Sequence, residues 1–184
     1  MSEHSLPDSD TVVQQANRCI VNSRDCEEAE KYLEIAIELA ENDNNSGTSE
    51  HHTARQGLVL AAMVSYARAF TKSYSDGRAA ALVTVDVAQV LAERTELVEL
   101  HNTVMERRNK AGAHSDWEFR KSERVEMEDI EGVLRRNSIV DYQERIDLNS
   151  FHDLAKRMKE HFRWEGFARD KRLDRRQGKR HPTS

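Results

Sequence analysis

The fold class is decided by one apolar segment in the first half of the chain, Leu58-Val-Leu-Ala-Ala-Met-Val-Ser-Tyr-Ala-Arg-Ala-Phe70. Five of its side chains recur at helical spacing and form one face: Val59, Ala62, Met63, Tyr66 and Phe70. Other apolar residues cover the remaining sides, so the pattern predicts a central, buried helix over about residues 50–73. Arg68 lies inside this helix, and its guanidinium therefore needs a partner or an aqueous cleft.

The segments before this helix are also helical in pattern. Residues 11–22 predict a short amphipathic helix. A second helix is expected to begin near Asp25, because Asp25 and Glu28 have the spacing of a capping box. A polar stretch over residues 42–49 is expected to end that helix.

The segments after the central helix also have apolar residues at helical spacing. A turn at residues 74–77 precedes a long helix predicted over about residues 86–110. A last amphipathic helix is expected to begin at Ser150, and its inward side chains are Leu154, Met158, Phe162 and Phe167. Alternating residues beyond position 115 predict a small hairpin or irregular excursion between these two helices. The predicted fold class is therefore all-α, a bundle of up-and-down helices.

Length and composition limit the architecture and the location. A chain of 184 residues and 21.2 kDa fits one domain, predicted over residues 1–168, followed by a flexible basic tail over residues 169–184. Cys19 and Cys26 are too far apart on a helix to form a disulfide and are expected in the core. The N-terminal residues lack a signal peptide, and no apolar run reaches the ~20 residues that cross a bilayer. A cytoplasmic protein without a membrane partner is expected.

Charge is distributed unevenly along the chain. The 33 acidic and 28 basic side chains give a formal net charge of -5, which excludes a generally basic nucleic-acid coat. Residues 1–50 hold three basic and twelve acidic side chains, a net charge of -9, whereas residues 156–184 hold eleven basic and four acidic ones, a net charge of +7. The tail is either a solvated helix end or a phosphate-seeking extension whose RNA binding weakens with salt. Its candidate RNA-binding residues are Arg172, Arg175, Arg176, Lys179 and Arg180.

Residues 106–116 admit two interpretations. They suit an ordinary helix C-terminus, with basic side chains at the negative end of the dipole and Gly112 as the cap. However, His101 and Arg108 recur at helical spacing with Leu97 and Val104, which puts an imidazole and a guanidinium on the core stripe. His114 follows Arg108 by six residues, so the two share a site only if the helix breaks at Gly112 or a second subunit closes the cleft.

The motif in this region resembles that of the HEPN domains. These proteins carry an Arg, a polar residue directly after it and a His five to seven positions beyond the Arg, which matches Arg108, Asn109 and His114. The extended string Arg-Asn-Lys-x-x-Ala-His-Ser-Asp, over residues 108–116, is similar to the abortive-infection (AbiU-like) branch. His101 and the element Tyr66-Ala-Arg-Ala-Phe70 are similar to that branch as well.

The resemblance implies a helical bundle that forms a two-fold homodimer, with Arg108 and His114 of both subunits facing one cleft. Many HEPN proteins are metal-independent endoribonucleases of defence or toxin–antitoxin systems, while others have lost catalysis and bind RNA or proteins. An antitoxin or another protein partner is therefore expected, and neither a metal nor another cofactor is. The supporting groups are His101, Arg68, Asp116, Lys110 and Tyr66.

The chemistry of these side chains leads to the same expectation. RNA supplies its own 2′-OH nucleophile, so cleavage needs a proton acceptor, a proton donor and positive charge at the phosphate. Histidine titrates near neutral pH, so His114 is the expected base or acid. The Arg108 guanidinium matches the phosphate oxygens, and Asn109 would orient the substrate or Arg108.

Three functions remain open from the sequence. The first is the RNase, and the second is a non-catalytic HEPN-like module that binds RNA or a protein through the same cleft and tail. The third is a structural adaptor, in which Arg68, His101 and Arg108 form one buried polar network.

Overall fold

The computed structural model describes residues 9–46, 49–71, 74–75, 78–79, 85–112, 122–126, 133–137 and 146–176. Helices dominate these residues, which confirms the all-α class. The helices are α1 (Ser9–Ser46), α2 (Ser49–Arg68), α3 (Val87–Val90), α4 (Thr95–Gly112) and α5 (Leu148–Arg176). No helix in the described part of the chain is long and apolar enough to cross a membrane.

Two short antiparallel hairpins accompany the helices. β1 (Tyr74–Ser75) pairs with β2 (Arg78–Ala79) around the predicted turn. β3 (Ser122–Glu126) pairs with β4 (Val133–Asn137), so the excursion expected after residue 115 contains a hairpin.

The core lies where α1, α2, α4 and α5 meet. Its fully buried members include Leu33, Met63, Leu97, Phe151 and Phe162, which come from all four helices. α1 and α5 run antiparallel, since Ser23 donates to the carbonyl of Lys159 at 3.2 Å and Arg169 donates to Gln15 at 2.6 Å. Cys19 and Cys26 are buried free thiols in this packing, as expected.

The predicted boundary between two N-terminal helices is wrong, because α1 continues through Asp25 without a break. Asp25 and Glu28 do not cap a helix; their carboxylates project toward α2 and bind Arg68 there. An Asp and a Glu three residues apart suit a helix start, but they suit the interior equally well when a facing helix supplies the donors.

The long helix predicted over residues 86–110 is also wrong, because it is two helices. Asp86 caps α3 by accepting from the amide of Gln89 at 3.0 Å, and the chain turns between Leu91 and Arg94 before α4 begins. Leu91 is buried at this turn. Arg94 forms ion pairs with Glu96 and, at 3.4 Å, with Asp153 of α5, which holds the turn against the bundle.

The last helix begins two residues earlier than predicted, because the cap is Asp147. Its carboxylate accepts from the amide of Ser150 at 3.1 Å and from the hydroxyl of Ser150 at 2.5 Å. These bonds lower the pKa of Asp147. At its other end α5 continues through the predicted domain boundary at residue 168 as far as Arg176.

Candidate active site and its supporting clusters

Arg108 and Asn109 lie in the last turns of α4. Arg108 is partly buried as a residue, and Nη1 of its guanidinium donates to Oδ1 of the exposed Asn109 at 3.2 Å in an exposed hydrogen bond. Among the described side chains, no carboxylate forms an ion pair with Arg108. This guanidinium therefore has donors that no anion among the described side chains occupies.

The remaining members of the motif fall at or beyond the end of α4. Lys110 and Gly112 belong to the helix, and Gly112 is its last residue. His114 and Asp116 lie outside the described residues, so their roles stay predictions.

Tyr66 and His101, both predicted as supporting groups, contact each other in the structure. The Tyr66 hydroxyl and Nδ1 of His101 are 2.9 Å apart and share a hydrogen bond between α2 and α4. Tyr66 is fully buried, and Phe70 packs edge-on against His101 at a centroid distance of 4.7 Å. Phe151 of α5 closes the cluster by an edge contact with Tyr66 at 5.6 Å.

Burial determines the protonation of both polar members of this cluster. Loss of water lowers the pKa of His101 and raises the pKa of Tyr66 well above its usual value. Both groups are therefore neutral near pH 7. His101 precedes Arg108 by seven residues, which is about 10 Å along a helix at ~1.5 Å per residue.

Arg68 takes part in a separate cluster between α1 and α2. Its Nη2 lies 3.1 Å from Oδ1 of Asp25 and also bonds to Glu28, which accepts from the Ser65 hydroxyl at 2.9 Å. Arg18 donates to the carbonyls of Arg68, at 3.3 Å, and Thr71, at 3.2 Å, and so caps the end of α2. The partner that the sequence required for Arg68 is thus an acidic pair on α1.

The two carboxylates of this cluster respond differently to it. Burial raises the pKa of Asp25, although Arg68 opposes that effect. The hydrogen bond from Ser65 lowers the pKa of the more exposed Glu28. Arg68 was expected inside a buried helix, but it is the last residue of α2 and its side chain is 47% exposed. The sequence predicted Asp25 and Glu28 only as helix-capping residues; the need of Arg68 for a partner was the signal that could have found their role.

The structural-adaptor hypothesis predicted one polar network of Arg68, His101 and Arg108, and this prediction is wrong. Arg68 bonds to Asp25 and Glu28, His101 bonds to Tyr66, and Arg108 bonds to Asn109. The three groups therefore lie in three separate sets of hydrogen bonds.

The basic tail begins as part of α5. Arg172 is exposed on this helix, and Arg175 and Arg176 belong to its last turn. Lys179 and Arg180 lie outside the described residues.

The prediction that Phe167 points inward is wrong, because its side chain is 52% exposed. Gly166 makes the contact with α1 instead: a Cβ on Gly166 would lie 3.2 Å from the Cβ of Cys19. Trp164 is 70% exposed and contacts Phe167 edge-on, and the Lys171 ammonium lies 4.5 Å from the centre of the Phe167 ring. α5 thus presents two aromatic rings beside basic side chains.

Within the described residues, the side chains close enough to share a metal ion are Glu30, Glu34 and His152. None of them was a candidate in the sequence analysis. His152 on α5 follows Glu30 and Glu34 of α1 by more than 110 residues in sequence. No local motif therefore brings the three side chains together.

Comparisons with protein-family models, with curated proteins and with solved structures found no match to this chain. The resemblance to HEPN domains therefore continues to rest on the motif residues alone.

Proposed function

We propose that this protein is a HEPN-like, metal-independent endoribonuclease that acts as a homodimer in a defence or toxin–antitoxin system. The observation that best supports the proposal is the state of Arg108. Its guanidinium forms an exposed hydrogen bond to Asn109 and lacks an acidic partner among the described side chains. An arginine in this state can bind a phosphate diester in a bidentate manner.

The fixed position of α4 supports the same role for Arg108. Leu97 and Val104 are fully buried on this helix, and His101 bonds to Tyr66 of α2. Electrostatic catalysis requires charges that do not have to reorganise during the reaction. A guanidinium on a packed helix, with Asn109 as neighbour, fits that requirement.

The proposed reaction uses the RNA 2′-OH as nucleophile. His114 removes or supplies a proton, while Arg108 stabilises the charge on the phosphate. The P–O bond to the 5′-oxygen breaks, which leaves a 2′,3′-cyclic phosphate and a 5′-OH. Tyr66 and His101 would hold α4 in place, and Lys110 and Asp116 would assist at the cleft formed by two subunits.

The direct test measures cleavage of a fluorescent RNA by the wild-type chain and by His114→Ala, with and without EDTA. We expect the His114→Ala rate to fall by about 10²–10⁴-fold, and we expect EDTA to have little effect below the melting temperature. A matched control is His161→Ala, which changes a histidine of α5 far along the chain from the motif. Wild-type activity in His114→Ala, or complete loss in EDTA, would refute the mechanism.

A non-catalytic binding module is the second candidate, favoured by the exposed aromatic pair on α5. Trp164 and Phe167 are exposed, and the Lys171 ammonium lies over the Phe167 ring; exposed rings close to a cation suit stacking with single-stranded bases. In this case His114→Ala keeps its RNA affinity, whereas Trp164→Ala weakens it by about tenfold, since stacking contributes ~1–3 kcal/mol per base. The affinity would also fall steeply with salt.

A further inference from the structure

Three ionisable side chains meet where the middle of α1 passes the beginning of α5. Glu30 and Glu34 are one helical turn apart on α1, and His152 faces them from α5. Nε2 of His152 lies 3.4 Å from Oε1 of Glu34 and 3.9 Å from Oε1 of Glu30. One ligand atom from each residue lies within 4.8 Å of the other two.

These separations suit a small metal ion. A zinc ion bonds to imidazole nitrogen and carboxylate oxygen at ~2.0–2.2 Å, so tetrahedral ligand atoms lie roughly 3.4 Å apart. The His152–Glu34 distance already matches this value, and a small rotation of the His152 side chain, which is 27% exposed, shortens the longer His152–Glu30 distance toward it. We propose that Glu30, Glu34 and His152 bind a divalent transition-metal ion, with zinc as the best fit.

Lys159 gives Glu30 the support that a ligand carboxylate needs. Oε2 of Glu30 forms an ion pair with Lys159 of α5, while Oε1 faces His152. The Glu30 side chain is only 10% exposed, so its orientation is fixed by packing as well as by this ion pair. Ligands held by a second hydrogen-bonding partner are typical of protein metal sites.

Charge and ligand type favour zinc over harder cations. With a neutral imidazole, the two carboxylates and the Lys159 ammonium sum to a net charge of -1. Magnesium and calcium prefer an all-oxygen shell of carboxylates, carbonyls and water, and the imidazole nitrogen of His152 does not suit that shell. Zinc accepts one imidazole and two carboxylates as three ligands, and water can complete the fourth position because Glu34 is 57% exposed.

The site would stabilise the fold and leave cleavage unchanged. Its ligands come from α1 and α5, the two longest helices, so a bound ion links them directly. Binding to the folded state alone raises its stability by mass action. This role is independent of the RNase proposal, because neither Arg108 nor His114 is a ligand.

The test is calorimetric titration of the full, metal-free chain with zinc chloride, together with its melting temperature with and without zinc. His152→Ala and Glu34→Gln should each weaken zinc binding by about tenfold or more and should abolish the rise in melting temperature. Glu34 is well exposed, so Glu34→Gln keeps the test valid even if His152→Ala folds poorly. Magnesium chloride should cause neither heat nor a shift.

Matched controls separate this site from other zinc ligands. Glu38→Gln changes an exposed glutamate one turn further along α1, and His52→Ala changes a half-buried histidine of α2. Both should bind zinc as the wild type does. The proposal is overturned if wild-type and Glu34→Gln proteins bind zinc equally, if His52→Ala loses the binding, or if the wild type binds none.

Discussion

Arg68 and Arg108 occupy comparable places, each near the C-terminal end of a helix, yet their surroundings differ. Arg68 is held by two carboxylates of α1, and Arg18 covers the end of its helix. Arg108 bonds to a neutral amide of its own helix and to no carboxylate among the described side chains. The difference is consistent with a mainly stabilising role for Arg68, while Arg108 is the arginine that we propose binds an external anion.

The largest expected effect concerns Arg108. Arg108→Ala should reduce RNA cleavage by about 10²–10³-fold, the loss typical of removing one donor that stabilises a transition state. Its melting temperature should stay close to that of the wild type, because an exposed helix end loses little on truncation. Arg24→Ala, an exposed arginine of α1, is the control and should cleave normally. A normal rate in Arg108→Ala would remove the contrast between the two arginines.

A smaller effect is expected for Arg68. Arg68→Ala removes the cation from Asp25 and Glu28 and should lower the free energy of unfolding by about 1–1.5 kcal/mol. The low value reflects solvent screening, since the Arg68 side chain is 47% exposed. Urea denaturation measures it, and the loss should shrink at 1 M salt. Equal losses in Arg68→Ala and Arg24→Ala would contradict the assignment.

The next effect in size concerns the hydrogen bond between Tyr66 and His101, which joins α2 to α4. Tyr66→Phe keeps the packed ring but leaves Nδ1 of His101 without its partner, which should cost about 1 kcal/mol of unfolding free energy. Tyr32→Phe serves as the control, because the Tyr32 hydroxyl bonds at 3.3 Å to a more exposed carboxylate, Glu28. The Tyr66 change should exceed the Tyr32 change in urea denaturation. The reverse order would show that the Tyr66–His101 bond does not anchor α4.

The smallest effect is a pH dependence of stability. Burial lowers the pKa of His101 and of His161 in the folded state, whereas an unfolded histidine titrates at about 6.5. The contribution of these two neutral imidazoles to the free energy of unfolding is therefore fully present above pH ~6.5. It is lost as the pH falls through the folded-state pKa values. Urea denaturation at pH 7.0 and 5.5 should show this loss. It should diminish in His101→Gln and in His161→Gln, and equal pH dependence in all three proteins would exclude these groups as its source.

The sequence predicted the all-α class and most core side chains because apolar spacing is local, whereas it misplaced the helix boundaries near Asp25 and Leu91. A partner for Arg68 was expected, but its identity could not be predicted from the sequence. The spacing of Asp25 and Glu28 suits a helix start and a helix interior equally. The break at Leu91 was missed because the same apolar residues fit one helix or two. Phe167 was placed inside because an apolar stripe does not show which of its members contacts the neighbouring helix; Gly166 makes that contact.

The candidate site was predicted less completely. A motif along one helix identifies Arg108, Asn109 and His101, but the contact of His101 with Tyr66 was not predicted, because it depends on how α2 packs against α4. Glu30, Glu34 and His152 could not be grouped from the sequence, because their proximity depends on the register between α1 and α5.

The two thiols of α1 have a practical consequence. Burial raises the pKa of Cys19 and of Cys26, so in the folded protein neither presents a reactive thiolate to an alkylating reagent. Cys19 lies against Gly166 and becomes accessible only when α1 and α5 separate. The rate at which Cys19 is alkylated therefore measures transient opening of that helix pair, and mass spectrometry can follow it without any substitution in the chain.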